Sequence, residues 1–173
     1  MSDCKPVSTP MLKGEETSTS GKVNQAIQFP YRQAVGALMY LMLGTRPDLA
    51  YSVGYILRVL ENPTQEDVVL VKRVFRYIAG TLNFGIVYCR RKEEAGVLEI
   101  YSDADFGGCT KTGRSTSEVI VKYSGGAISW LNQRQAVVAT STTETEIMAA
   151  NEGAKEAILL SRLLLFKLII PLQ

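Results

Sequence analysis

Histidine is absent from this chain. That removes every Ser-His and Cys-His nucleophile arrangement and every zinc site built on imidazole. Cysteine is scarce: Cys4, Cys89 and Cys109 are far apart, odd in number and form no C-x-x-C. A disulfide framework is thereby excluded, and reduced thiols in an intracellular, cytoplasmic protein are the expectation. Excess charge is missing too, since a net charge of +2 is too small to announce nucleic acid by itself. Nor is there a long uninterrupted apolar run. The start, Met1-Ser-Asp-Cys-Lys, is polar and reads as no signal peptide. The apolar tail from Ala157 onward is interrupted by Arg162 and Lys167, which argues against a bilayer span. It reads instead as a buried helix that has lost its partners, and no membrane association is expected.

What is present suits a folded chain. With 46% hydrophobic and 21% charged residues among 173, the composition is globular and long enough for one domain with an appendage, or two small ones. Residues 1–30 carry Pro6, Pro10 and a polar run without hydrophobic period, an extended leader. From Tyr31 the apolar residues Val35, Leu38, Met39 and Met42 recur at helical spacing up to Gly44. Thr45-Arg-Pro-Asp48 opens a second helix with proline in its first turn. Asn62-Pro-Thr-Gln65 opens a third, with Asn62 as N-cap, Pro63 at N1 and Gln65 at N3, and Gly80 ends it. These define a helical connection over residues 31–82.

The period then falls to two. Gly85–Cys89, Leu98–Tyr101, Glu118–Tyr123 and Ala127–Leu131 are expected strands, the last two joined at Gly125-Gly126. Tight turns between successive strands indicate an antiparallel meander of three to four strands. A long helix follows from the Ser141-Thr-Thr-Glu144 cluster, with Ile147, Ala150, Ala154 and Ile158 along it. The fold class is therefore α+β.

Two carboxylate stretches carry the chemistry. The run Leu98-Glu-Ile-Tyr-Ser-Asp103-Ala-Asp105 ends an apolar-alternating strand in an Asp-x-Asp. Carboxylates at the end of a buried strand are costly unless a cation satisfies them. In Ser141-Thr-Thr-Glu144-Thr-Glu146, Ser141 and Glu144 fit a capping box, which leaves Glu146 about 200° around the helix. If the helix packs on the sheet, Glu146 can meet Asp103 and make a hard-oxygen site suited to magnesium or manganese. An exposed glutamate in a helix's first turns is equally common for its dipole alone.

Several motifs in order carry a resemblance. Tyr101-Ser-Asp103-Ala-Asp105-Phe-Gly, Arg114-Ser-Thr-Ser117, Gly125-Gly-Ala-Ile-Ser-Trp130 and Ser141-Thr-Thr-Glu-Thr-Glu146 resemble the ribonuclease H domain of copia-type LTR-retrotransposon Pol polyproteins. Asp3-Cys-Lys-Pro-Val-Ser-Thr-Pro10 is similar to the end of the reverse transcriptase in those polyproteins. Thr45-Arg-Pro-Asp-Leu-Ala50 is similar to the helical segment that links the two. The resemblance implies metal-dependent hydrolysis of the RNA strand of an RNA–DNA hybrid during reverse transcription, with two magnesium ions, or manganese in their place. It makes Asp103 and Glu146 the metal ligands and catalytic residues, and leaves Asp105 beside the site. Lys111, Arg114, Ser115 and Thr116 become candidate nucleic-acid contacts, and the rest of the Pol polyprotein a partner.

This chain also departs from the family. Its five aspartates, at positions 3, 48, 67, 103 and 105, all precede the long helix, where the family places a further strand with a third carboxylate and, later, a fourth. Residues 83–170 thus read as the N-terminal half of a ribonuclease H-like domain, and Leu98–Asp103 as a strand whose second neighbour is not encoded. Cys109 replaces a usual acid, and Glu118 a frequent glycine. Three expectations follow: a ribonuclease H module within a larger product; a degenerate or truncated fragment inactive alone, the favoured one; or a residual nucleic-acid-binding module. The last would draw on Lys72, Arg73, Arg76, Lys111 and Arg114.

Overall fold

The computed structural model describes residues 4–12, 28–88, 97–109 and 111–169. The chain divides into two compact units, residues 1–85 and 86–173. The arrangement is α+β, with helices first, then a three-stranded antiparallel sheet, then one long helix.

In the first unit, helix α1 spans Tyr31–Gly44, a 3-10 turn spans Pro47–Leu49, α2 spans Ala50–Leu57 and α3 spans Gln65–Gly80. Their apolar stripes meet in one core that includes Leu38, Leu49, Val53, Ile56, Val71 and Val74, all essentially closed to solvent. Tyr31 donates its hydroxyl to the Ile56 carbonyl at 3.1 Å, tying the start of α1 to the end of α2. Burial, and secondarily Asp67, pushes its phenol well above the ordinary range.

The third helix is capped two residues later than its sequence suggests. Thr64 is the N-cap, not Asn62, and Asp67 is the N3 partner in place of Gln65. The Thr64 side chain accepts from the Asp67 amide at 3.3 Å, and the Asp67 carboxylate accepts from the Thr64 amide at 2.7 Å. A capping box needs the acid at N3, and Asp67 meets that condition from Thr64. The same side chain is buried, so its two bonds to Thr64 are what make its burial tolerable.

The leader is the larger surprise. Residues 4–12 form no helix or strand, yet Val7 and Met11 pack against the helical core.

In the second unit, β1 spans Leu98–Ala104, β2 Thr116–Tyr123 and β3 Gly126–Arg134, in the spatial order β1-β2-β3. Residues 85–88 form no strand, and Cys89 lies outside the described residues. Helix α4, Thr142–Ile169, lies against β1 and β2. A Cβ at Gly153 would sit 3.2 Å from Ile100 Cγ2 and 3.7 Å from Val119 Cγ1, so the missing side chain lets the helix approach the sheet. The face that meets the sheet is Thr145, Ala149 and Gly153, all buried. The larger residues Ile147 and Ile158 face solvent instead. Close approach favours small residues, and that outweighs the apolar period that pointed to Ile147, Ala150 and Ala154. Among the described residues, no helix is long and apolar enough to cross a membrane.

Candidate functional site

Register decides which way each carboxylate points. Ser102 pairs with Val119 and lies on the face beneath Gly153. Strand alternation therefore puts the next row, Asp103↔Glu118↔Asn132, on the face away from α4. Tyr101↔Ile120↔Trp130 is the neighbouring row on that same face. Asp103 is exposed near the end of β1, and its Oδ1 accepts from the Ala104 amide at 2.8 Å. Glu118, opposite it, accepts from Asn132 Nδ2 at 2.7 Å. Partial burial raises the Glu118 carboxyl first, the Asn132 hydrogen bond opposes this, and repulsion from Asp103 and Asp105 adds to the rise. Glu118 thus belongs to the acidic surroundings of Asp103, a role its sequence position did not suggest. A cross-strand register was the signal that would have found it.

Asp105 is engaged elsewhere. Its Oδ1 accepts from the Thr116 amide, its own amide donates to the Thr116 carbonyl at 3.1 Å, and its carboxylate fills the space that a Cβ on Gly108 would need. Asp105 therefore closes the loop between β1 and β2. Ser115 helps it, accepting from the Gly107 amide at 3.0 Å. Ser115 and Thr116 are 1% and 2% exposed. These two candidate nucleic-acid contacts are thus buried in the loop, where the Ser115 hydroxyl meets the need of a backbone amide for a partner. Lys111 is exposed and Arg114 half-exposed on the same loop. Cys109 is buried within it; burial pushes its thiol up, but hydrogen bonds from Thr112 and Arg134 outweigh this and bring it down to about 7.

At the start of α4, Ser141 Oγ accepts from the Glu144 amide at 3.2 Å, as an N-cap should. The Glu144 carboxylate reaches past Ser141 to the Thr140 amide at 2.7 Å and hydroxyl at 2.9 Å, and these bonds hold its carboxyl below the usual range. Glu146 is exposed, one residue beyond the inward-facing Thr145. The helix and sheet are pinned by Gln135, which donates to Ser117 Oγ at 2.9 Å and to the Thr145 carbonyl at 3.0 Å. Among the described residues its buried Oε1 has no hydrogen-bond partner.

The expected ligands are thus two exposed carboxylates with hard oxygen atoms, the donor type magnesium takes. Asp103 stands on the sheet face away from α4, and Glu146 on α4 itself. Among the described residues, no group of three or more His, Cys, Asp or Glu side chains is placed to hold a metal ion. Asp103 and Glu146 thus offer the right donor chemistry, but the described residues do not assemble a ligand set around them.

In the first unit, the basic residues of α3 are already occupied. Arg73 Nη2 donates to Thr9 Oγ1 at 3.0 Å, Arg76 Nε donates to the Lys5 carbonyl at 2.7 Å, and Lys72 lies over the Phe29 ring. Arg46, passed over in the sequence, is 5% exposed and makes a two-pronged ion pair with Asp48 at 2.9 and 2.8 Å. It also donates to the Thr81 carbonyl and hydroxyl, and Tyr77 completes the set by donating to Asp48 at 2.9 Å. This is a structural network that fixes the turn before α2 to the end of α3.

Comparison with known proteins gives long matches. The chain is 43% identical over 171 residues to the retrovirus-related Pol polyprotein from transposon TNT 1-94 of Nicotiana tabacum, covering 95% of this chain and 13% of that protein. It is 42% identical over 134 residues to the secreted RxLR effector protein 161 of Plasmopara viticola, covering 76% of this chain and 92% of that protein. To the retrovirus-related Pol polyprotein from transposon RE1 of Arabidopsis thaliana it is 36% identical over 156 residues, 90% of this chain and 10% of that protein. No family model matches, and no solved structure does.

Proposed function

Because this chain belongs to the retrovirus-related Pol polyproteins of copia-type transposons, we propose that residues 97–169 act as part of a ribonuclease H module. Its reaction is hydrolysis of the RNA strand of an RNA–DNA hybrid. The observation that carries the proposal is an exposed Asp103 at the end of β1, in a sheet backed by a helix whose first turns expose Glu146. Asp103 and Glu146 are the residues of this chain that would hold magnesium or manganese. Further oxygen ligands would come from the rest of the polyprotein, of which this chain spans about a tenth. When bound, the ions would lower the pKa of the attacking water and offset charge building on the phosphoryl oxygens. The acidic row around Asp103 would favour cation capture, while Lys111 and Arg114 would meet the phosphate backbone from the adjoining loop.

The test is a labelled RNA–DNA hybrid incubated with magnesium and either the chain alone or a longer polyprotein segment containing it. Cleavage is expected from the longer segment and should drop to background on Asp103→Asn or Glu146→Gln. Equal cleavage by parent and Asp103→Asn segments would overturn the assignment.

A second reading, nucleic-acid binding without catalysis, is favoured by the surface positions of Lys111 and Arg114 on one loop. Hybrid binding by the chain should then weaken steeply with salt and fall further on Lys111→Ala with Arg114→Ala. Salt-insensitive binding would count against it.

A further inference from the structure

The leader segment is fastened to α3 along one stripe of that helix. Residues 73, 76 and 80 follow one another at spacings of three and four, which places them on one helix face. At each of the three, the leader makes a contact of a different kind. Arg76 grips a backbone carbonyl, that of Lys5, at 2.7 Å. Arg73 grips a hydroxyl, that of Thr9, at 3.0 Å. Gly80 offers a gap, in which a Cβ would stand only 2.9 Å from Pro6 Cβ. Val7 and Met11 supply two apolar anchors against the helical core. Pro6 and Pro10 fix φ at two positions of the segment, which bends at Ser8, Pro10 and Met11, so less conformational freedom is lost when it docks.

We propose that this face of α3 is a peptide-docking site whose ligand is the chain's own Lys5–Met11 segment, held without need of the covalent link. Its contacts define the ligand class: a segment without helix or strand that has a proline at its head, apolar residues four apart and a hydroxyl between them. In the polyprotein, the parts on either side of this joint then stay attached after the chain is cut between them. The basic face of α3 acts here as a protein–protein contact and not as a nucleic-acid groove. The inference is independent of the nuclease reading, because it uses no residue of the second unit.

The experiment uses the full chain with a specific protease sequence inserted between Ser20 and Gly21. After cleavage, the N-terminal piece should co-elute with the remainder on size exclusion. A labelled peptide of residues 1–12 should bind the stripped remainder, with affinity reduced at least tenfold by Arg76→Ala or by Gly80→Val. Circular dichroism establishes whether the helices of each variant are intact. Should either variant unfold, changes on the ligand keep the test sharp: a peptide carrying Pro6→Gly and Val7→Ser should bind at least tenfold more weakly. The proposal is overturned if the cut parent releases its N-terminal piece, or if the altered peptide binds as well as the natural one.

Discussion

At the scale of single residues, the most consequential side chain is Arg46. A guanidinium taken almost wholly out of water is tolerated only when its donors are paired, and Asp48, the Thr81 carbonyl and the Thr81 hydroxyl do this. Asp48 itself is one-third exposed, so solvent screens the pair from one side. Asp48→Asn leaves the buried cation under-compensated and should destabilise the first unit by about 2 kcal/mol, below the usual figure for a fully buried pair. Burial alone would raise the Asp48 carboxyl, but the hydrogen bonds from Arg46 and Tyr77 win and hold it below the ordinary range. A depressed folded pKa stabilises the native state above the unfolded value, about 3.9, and that contribution disappears as pH falls through the folded value. Parent and Asp48→Asn should therefore differ most near neutral pH and converge below about pH 4. Urea midpoints across pH 7 to 2 measure this; a difference that grew on acidification would refute the pairing.

At the scale of elements, α4 depends on what Gly153 lacks. Leucine at that position would drive atoms into Ile100, Ser102 and Val119, pushing the helix off the sheet. Overpacking of this kind costs about 1–3 kcal/mol, and the better helix propensity of leucine returns only part of it. Gly153→Leu should lower the urea midpoint of the second unit accordingly, and an unchanged midpoint would mean the helix is not seated there. At the other end of the chain, Thr64→Ala removes the cap of α3 and should cost about 1 kcal/mol in the first unit. These two sites also mark where sequence is and is not legible. Helix α1, the end of α3 at Gly80 and the β2–β3 hairpin follow from periodicity and punctuation, which are local signals. The buried face of α4 does not, because Thr145, Ala149 and Gly153 are chosen for closeness to a partner that local pattern cannot see. The cap at Thr64 was hidden by a Pro63 that mimics a first helical turn. In the site, Asp103 was legible as a strand-end acid and Glu146 as the acid a capping box leaves over. Glu118 was not, since its meaning comes only from the residue across the strand. The burial of Ser115 and Thr116 was not legible either: polar type suggests surface, but the Ser115 hydroxyl accepts from the Gly107 amide and the Thr116 amide donates to Asp105.

At the scale of the molecule, the apolar surface of α4 is the feature from which self-association is predicted. Ile147, Ile158, Leu159, Leu163, Leu165 and Phe166 are all exposed, Phe166 to 68%. Scattered exposed leucines are ordinary, but Leu159, Leu163 and Phe166 follow one another at spacings of three and four and so share one side of the helix, an apolar stripe of the kind that favours association. The sheet adds a second incentive, since among the described residues β1 is hydrogen-bonded to a neighbouring strand along one edge only. Association through the helix and association through the strand edge can be separated. Replacing Leu163 and Phe166 by serine removes apolar area without touching β1, and helix propensity changes by only a few tenths of a kcal/mol per residue. If the helix patch dominates, the double variant should sediment closer to monomer mass at the same concentration and bind less of a hydrophobic dye. Its urea midpoint should stay within about 0.5 kcal/mol of the parent, because neither side chain is buried. If the strand edge dominates, the double variant should associate as the parent does. A lysine at Tyr101, on the open face of β1, should then be the change that disperses it, since charge on an edge strand opposes further pairing.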